Sequence, residues 1–162
     1  MVIIPNTSGY IPAWLAKQID AFDRKGTWLL VTEPESARAR FAEIDPSRTW
    51  EKIQHEDGLD LNKDKATKTY DGIVFLFALE HVFNPVAALS WLSDSLAPGG
   101  RLFLTTTHCE PETVPHQYHA FPRDYHRFWP DWFVDLGEHV PLNLVAMKLD
   151  QTKCIYCVYE RI

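Results

Sequence analysis

The chain has 162 residues, 46% of them hydrophobic and 13% aromatic, and a formal net charge of -6. This length and apolar content are enough for one well-packed domain and too little for two ordinary ones, so we expect a single domain over residues 1–162. The acidic balance offers no basic surface for a nucleic-acid backbone, which argues against nucleic acid as a partner and favours small molecules.

Neither a membrane span nor a leader sequence is predicted. No apolar run reaches the roughly 18 to 20 residues that cross a bilayer, and the N-terminus lacks a basic region followed by an apolar one. The three cysteines are an odd number without the spacing of a disulfide framework, which is typical of a reducing compartment. A cytoplasmic location is therefore expected.

The N-terminal part of the chain predicts two strands separated by a helix. Residues 1–4 are apolar and would form a very short strand, and residues 6–9 would form a turn. Pro12 then stands in the first turn of a helix that ends before Gly26, and residues 27–32 form a second strand. The inner stripe of this helix comprises Trp14, Leu15, Gln18, Ile19 and Phe22.

The second strand stops at an acidic pair, Glu33 and Glu35. A carboxylate at the end of such a strand can accept hydrogen bonds from both ribose hydroxyls of a nucleotide. Alternatively, the two carboxylates favour the N-terminus of the next predicted helix, residues 36–44, through its dipole. Both interpretations of Glu33 stay open. A third strand is predicted at residues 50–55, and residues 62–69 are polar and predict an exposed connection.

Residues 73–79 form an unbroken apolar run rich in β-branched and aromatic side chains. A strand this continuous is covered on both faces, so a central parallel strand is predicted. Asn84 and Pro85 then occupy the cap and first turn of a helix. The Pro-Gly-Gly at residues 98–100 ends that helix, and residues 102–107 form a second buried strand. This order of elements predicts a right-handed crossover between parallel neighbours.

The C-terminal part predicts a short helix over residues 131–139 and a hairpin of two strands, residues 142–149 and 154–162. Cys154 and Cys157 are three residues apart in the second of these strands. Their side chains should therefore point to opposite faces and cannot chelate one ion. We expect both cysteines to be structural.

Histidines concentrate in the stretch that follows residue 107. Imidazoles together with a thiolate suit zinc, which makes a metal site an alternative for this stretch. The spacing is not that of a zinc finger, and prolines interrupt it, so no metal site is predicted. The ligands of the zinc alternative would come from His108, Cys109, His116 and His119.

Several groups of residues resemble the class I S-adenosylmethionine-dependent methyltransferases. In that family a Leu-Glu-His group ends the fourth strand beside the cofactor, and a Pro-Gly-Gly precedes the fifth strand. Many of its members that act on small molecules have a following loop that ends in Pro-x-Asp-Tyr-x-Arg-Phe-x-Pro. The residues that carry the likeness are Tyr70-Asp71, Leu79-Glu80-His81-Val82, Asn84-Pro85, residues 96–102, and Pro122, Asp124, Tyr125, Arg127, Phe128 and Pro130.

This resemblance implies an α/β fold with a doubly wound, mostly parallel seven-stranded sheet and a C-terminal antiparallel hairpin, which is the Rossmann-like methyltransferase fold. It implies transfer of a methyl group from S-adenosylmethionine to a small-molecule acceptor. Residues 1–9 would provide the first strand and the cofactor loop, and Asp57 would hold the adenine amino group. Alternatively, Asp57 belongs with Glu56 and Asp60 to a solvated acidic loop. The implied cofactor-binding residues are Pro5, Thr7, Gly9, Glu33, Asp57, Leu79 and Glu80.

Direct displacement at the methyl group of a sulfonium depends more on in-line positioning in a dry pocket than on a strong acid, so no fixed catalytic triad is expected. A hydroxyl or amine acceptor would still benefit from a base. His81, at the C-terminal end of the central strand, is the first candidate, and His119 and His126 on the following loop are further ones. Alternatively, His81 is only bonded locally where the next helix begins.

A second function stays open because the first loop departs from the family pattern. There the first strand ends in an acidic residue before three glycines at alternate positions, and this chain has Ile3, Pro5, Thr7 and Gly9 instead. Proline has a fixed φ and no N–H to donate, and threonine adds a Cβ. The alternative is a methyltransferase-like pseudoenzyme that has lost cofactor binding and acts as a binding or scaffolding subunit in a homo- or hetero-oligomer.

Overall fold

A six-stranded mixed sheet forms the centre of the described chain. The structure is a computed structural model that describes residues 13–32, 47–54, 68–107, 125–150 and 154–162. The helices are α1 (Ala13–Ala21), α2 (Pro85–Asp94) and α3 (Pro130–Asp135), with 3-10 turns at Leu79–His81 and Leu136–Glu138. The strands are β1 (Thr27–Thr32), β2 (Thr49–Gln54), β3 (Tyr70–Leu76), β4 (Leu96–Thr107), β5 (Leu142–Leu149) and β6 (Cys154–Arg161). None of the described helices is long and apolar enough to span a bilayer.

The strand order is β2-β1-β3-β4-β6-β5. The first four strands run parallel, whereas β6 pairs antiparallel with both β4 and β5. The predicted α/β class, parallel centre and antiparallel hairpin are therefore confirmed, with six described strands where seven were predicted. The predicted first strand, residues 1–4, and the predicted helix over residues 36–44 lie outside the described residues.

Both faces of the parallel centre are covered. Neighbouring residues of β1 point to opposite sides, so Leu29 joins the core under α2 and α3 while Trp28 joins the core under α1. Cys157 and Cys154 divide in the same way, which confirms that they lie on opposite faces. Burial raises the pKa of the Cys157 thiol to about 12. The resulting helix, sheet and helix layers are those of a doubly wound fold.

Most described elements lie close to their predicted bounds. The strands β1, β2, β5 and β6 each begin and end within one residue of the prediction. The helix predicted over residues 131–139 is α3 continued by the turn Leu136–Glu138. Four boundaries near the central strand differ, which are the end of α2, the start of β4 and both ends of β3.

The predicted start of α2 is confirmed and its predicted end is wrong. The side-chain oxygen of Asn84 accepts a main-chain N–H of the first turn at 3.2 Å, and Pro85 is the first helical residue. The helix ends at Asp94, ahead of the Pro-Gly-Gly. There the Ser95 hydroxyl donates to the Trp91 carbonyl at 2.8 Å, and the same carbonyl accepts the Ser95 main-chain N–H at 3.0 Å.

The prediction of a strand from residue 102 was wrong at its start, because β4 begins before the Pro-Gly-Gly. Leu96 already pairs with Tyr70 of β3, and the next paired residues are Gly72 and Arg101. Residues 97–100 therefore form an irregular bulge inside the strand. The Pro-Gly-Gly therefore interrupts β4 and does not end α2.

The predicted central strand over residues 73–79 ends earlier, at Leu76. Phe77 adopts a φ of 47°, a left-handed conformation that is rare for a bulky residue and cannot continue a strand. Its N–H still donates to the Thr105 carbonyl at 2.8 Å. The apolar run continues beyond the strand because residues 77–79 are buried in the turn that follows it.

A buried phenol links β2 with β3. The Tyr70 hydroxyl donates to Oε2 of Glu51 at 2.8 Å, and Nζ of Lys68 donates to Oε1 of the same carboxylate at 2.7 Å. Burial, and after it the bond to Glu51, raise the pKa of Tyr70 to about 12. The hydrogen bonds from Lys68 and Tyr70 lower the pKa of Glu51.

We expect Tyr70 to make the folded chain sensitive to alkaline pH. The phenol holds its proton more tightly in the folded chain than in the unfolded one, where its pKa is about 10. Its contribution to stability is therefore complete below about pH 10 and is lost as the pH rises toward about 12. Urea unfolding at about pH 9 and about pH 11.5 should show a smaller loss of unfolding free energy for Tyr70→Phe than for the wild type. Equal losses in the two proteins would contradict this shift.

Candidate functional site

The reversal of strand order brings two strand ends side by side. From β1 the chain moves outward to β2 and then returns to β3 on the opposite side of β1. Thr32 pairs with Leu76, so the carboxyl ends of β1 and β3 are level. In open α/β sheets, ligands bind outside the carboxyl ends of the strands where the strand order reverses. The candidate site therefore lies at the edge formed by Thr32 and Leu76.

The sequence-predicted site residues divide into two sets. Leu79, Glu80, His81 and His126 are described, and the structure brings them together beyond the carboxyl end of β3. The other predicted residues lie outside the described ones, although Glu33 directly follows Thr32 in the sequence. They are Pro5, Thr7, Gly9, Glu33, Asp57 and His119.

The turn after β3 is fully packed. Leu79 and Glu80 expose no surface, and His81 exposes 3%. Oε2 of Glu80 accepts a hydrogen bond from the Thr106 hydroxyl at 2.6 Å, and the Glu80 carbonyl accepts the main-chain N–H of Tyr125 at 2.8 Å. A buried carboxyl group needs partners of this kind, because a polar group away from water is costly without them. Glu80 therefore connects the turn both to β4 and to the segment that precedes α3.

His81 and His126, the two described histidines among the predicted site residues, differ in their surroundings. The main-chain N–H of His81 donates to the Ala78 carbonyl at 3.2 Å, and its side chain is buried. His126 is half-buried, and its Nε2 lies 3.0 Å from the Phe83 carbonyl oxygen. Because a carbonyl oxygen only accepts hydrogen bonds, we assign a proton to Nε2 of His126. Nδ1 is then the nitrogen of His126 that could accept a proton from a ligand.

An exposed aromatic pair lies beside these histidines. Phe83 is 74% exposed and Tyr125 is 49% exposed. Their rings meet edge to face, with centroids 5.5 Å apart and planes at 87°. Such a pair offers a fixed apolar surface against which a flat or apolar group can pack.

Sequence reasoning missed two residues of this edge, Phe77 and Thr106. Nothing in the sequence indicates the left-handed conformation of Phe77, since bulky residues rarely adopt it. A signal for Thr106 does exist, because three threonines in succession, residues 105–107, end an otherwise apolar strand. Hydroxyl groups at the carboxyl end of a buried strand indicate polar partners nearby.

Metal-binding groups do not gather in the part of the chain that the structure describes, where no three His, Cys, Asp or Glu side chains form a cluster. The residues of the zinc alternative all lie outside the described ranges. They are His108, Cys109, His116 and His119.

Comparison with protein families gives one match over most of the chain. A family model described as a methyltransferase domain matches residues 13–144. None of the curated proteins compared with the chain matches it in sequence.

Solved structures resemble the chain in fold at low sequence identity. A SAM-dependent methyltransferase from Aquifex aeolicus is 12% identical with a TM-score of 0.60, covering 91% of this chain and 89% of that one. The N-methyltransferase NodS from Bradyrhizobium japonicum is 12% identical with a TM-score of 0.58, covering 91% and 92%. NodS bound to S-adenosyl-L-homocysteine gives a TM-score of 0.54 at 12% identity, covering 91% and 84%.

A further similar structure is a complex of a methyltransferase with the Haloferax volcanii Trm112 methyltransferase activator. It is 11% identical with a TM-score of 0.60, covering 91% of this chain and 89% of that one. At these identities the likeness concerns the fold.

Proposed function

The chain belongs to the methyltransferase-domain family, among the class I S-adenosylmethionine-dependent methyltransferases, and on this premise we propose that it transfers a methyl group from S-adenosylmethionine to a small-molecule acceptor. The observation that carries the proposal is the pairing of Thr32 with Leu76 where the strand order reverses. Two of the segments that hold predicted cofactor residues leave the sheet from these two strand ends. They begin at Glu33 and at Phe77.

S-adenosylmethionine is the cofactor of this family, and we propose that it lies at the edge formed by Thr32 and Leu76. When bound, it would supply an electrophilic methyl group, which passes from the sulfonium to the acceptor while the thioether leaves. We propose that Glu33 accepts the ribose hydroxyls, since a carboxylate offers two acceptor oxygens directly after Thr32. We retain Leu79, in the turn after β3, as a further proposed contact. We retain Pro5, Thr7, Gly9, Asp57 and Glu80 as proposed cofactor contacts.

The chain's own residues would act mainly by positioning and by excluding water. In-line displacement in a dry pocket needs the acceptor held close to the methyl group. Of the predicted bases, His126 has the described geometry that suits a proton acceptor, because its Nε2 donates to Phe83 and leaves Nδ1 available. His81 and His119 stay proposed alternatives for this role.

A second candidate function is a pseudoenzyme that serves as a binding or scaffolding subunit. The observation in its favour concerns the loop after the predicted first strand, in which Ile3, Pro5 and Thr7 stand where the family has an acidic residue and two glycines. Proline has no N–H to donate and threonine adds a Cβ, so this backbone approaches a ligand less closely than a glycine-rich one. The similar structure with the Trm112 activator illustrates that a methyltransferase can form a hetero-complex, which we propose as an option here.

Calorimetric titration with S-adenosylmethionine separates the two functions. For the enzyme we expect a dissociation constant in the micromolar range, and Glu33→Gln should weaken binding about tenfold or more because the ribose hydroxyls lose a charged acceptor. The matched control is Glu138→Gln. Glu138 is exposed and precedes β5, whose first residue Leu142 pairs at the opposite edge of the sheet, so its replacement should leave the affinity unchanged.

Absence of binding at about millimolar S-adenosylmethionine would reject the enzyme and favour the scaffolding subunit. Equal affinity of Glu33→Gln and the wild type would reject Glu33 as the ribose ligand while leaving methyl transfer in place.

A further inference from the structure

Glu80 contacts both described ends of the chain that border residues 108–124. Before that stretch, the hydroxyl of Thr106 in β4 donates a hydrogen bond to Oε2 of Glu80 at 2.6 Å. After it, the N–H groups of Tyr125 and His126 approach the Glu80 carbonyl oxygen at 2.8 and 3.3 Å. One residue thus accepts hydrogen bonds with its side chain from one segment and with its main chain from the other.

The segment that returns at Tyr125 is aligned with the turn after β3 by further contacts. Nε2 of His126 bonds to the Phe83 carbonyl, and the Tyr125 ring meets the Phe83 ring edge to face. Phe128 is buried, with its ring centroid 5.4 Å from that of Phe133 in α3. The position of His126 relative to the candidate site therefore depends on how the turn itself is held.

The side-chain bond of Glu80 is well placed to hold that turn. Glu80 and Thr106 are both fully buried, where a hydrogen bond is not in competition with water. Fixing the carboxyl group on β4 ties the main chain of the turn, which carries the Glu80 carbonyl, to β4. That carbonyl is the acceptor for the Tyr125 and His126 N–H groups.

We propose that Glu80 is a positioning residue that acts through Thr106 to hold Tyr125 and His126 at the carboxyl edge of the sheet. The inference rests on the proposed function only in the purpose that it gives to Glu80, which is to align the side of the site where the acceptor would bind. The bond from Thr106 gives the Glu80 side chain a task separate from any contact with a cofactor.

The chain offers a closely matched set of variants for the test. Thr106→Val removes the hydroxyl that Glu80 accepts while keeping the size and branching of the side chain, and Thr106→Ser restores a hydroxyl. Thr105→Val is the control, because Thr105 is also fully buried and its hydroxyl has no hydrogen-bond partner among the described residues. The measurement is amide hydrogen exchange by NMR on the full chain without ligand.

We expect Thr106→Val to accelerate exchange at the Tyr125 and His126 amides about tenfold relative to the amide of Phe103 in the core of β4. Thr106→Ser and Thr105→Val should leave this ratio at the wild-type value. An unchanged ratio in Thr106→Val, or a Thr106→Ser protein that behaves like it, would overturn the proposal. Because no cofactor is present, the outcome is independent of whether the wild type binds S-adenosylmethionine.

Discussion

Replacing Trp28 by alanine will lower the free energy of unfolding by about 3–5 kcal/mol. Trp28 is fully buried and its indole stacks on Phe103, with ring centroids 5.6 Å apart and planes at 18°. The Trp50 ring is tilted by 53° to it with centroids 5.5 Å apart, and the guanidinium of Arg48 lies 4.5 Å from the ring centre of Trp28. Removal of the ring would leave a cavity on the face of the sheet that α1 covers and deprive a buried cation of its aromatic partner.

Urea unfolding of Trp28→Ala and Trp129→Ala measures this effect against the same chemical change elsewhere. Trp129 is 49% exposed, so its replacement should change the free energy of unfolding by less than about 1 kcal/mol. Comparable losses in the two variants would contradict the central position assigned to Trp28. A loss below about 1 kcal/mol for Trp28→Ala would contradict its packing.

Replacing Thr106 by valine will lower the free energy of unfolding by about 1–3 kcal/mol. The change only replaces a hydroxyl by a methyl group, yet it takes a short hydrogen bond away from Glu80, whose carboxyl group is fully buried. A buried acceptor that loses its donor keeps the cost of desolvation without the compensating bond. The loss should therefore far exceed the small packing difference between threonine and valine.

Thr105→Val provides the comparison, since it removes a neighbouring buried hydroxyl that makes no hydrogen bond within the described part of the chain. Its free energy of unfolding should stay within about 0.5 kcal/mol of the wild type or rise slightly, because an unpaired polar atom is replaced by a methyl group. Equal losses of unfolding free energy in Thr105→Val and Thr106→Val would show that the hydrogen bond from Thr106 to Glu80 does not stabilise the fold.

The family was predictable because its signals are local. Leu79-Glu80-His81, Asn84-Pro85 and the Pro-Gly-Gly at residues 98–100 are short sequence groups, and the match of the methyltransferase-domain model over residues 13–144 confirms the family that they indicated. S-adenosylmethionine is confirmed with it as the cofactor of the family. The single domain, the cytoplasmic location and the roles of individual site residues stay predictions.

Boundaries near the central strand were not predictable from local preference. The Pro-Gly-Gly has a helix-ending composition, but the main chain of Leu96 already pairs with Tyr70, and this pairing decides that residues 97–100 lie in a strand. Gly72 is a similar case, because a Cβ there would lie 2.5 Å from ring carbons of Trp28 in the neighbouring strand. Both features depend on partners distant in sequence.

By itself, the sequence determined the kinds of element and their order, since apolar periodicity, caps and turn residues act over a few neighbouring positions. Only the tertiary structure decided that β1 lies directly between β2 and β3, and that Glu80 meets Thr106 and Tyr125. Strand neighbours and buried hydrogen bonds join residues far apart in the chain. Which residues become partners depends on which surfaces pack together, and a local sequence pattern does not contain this information.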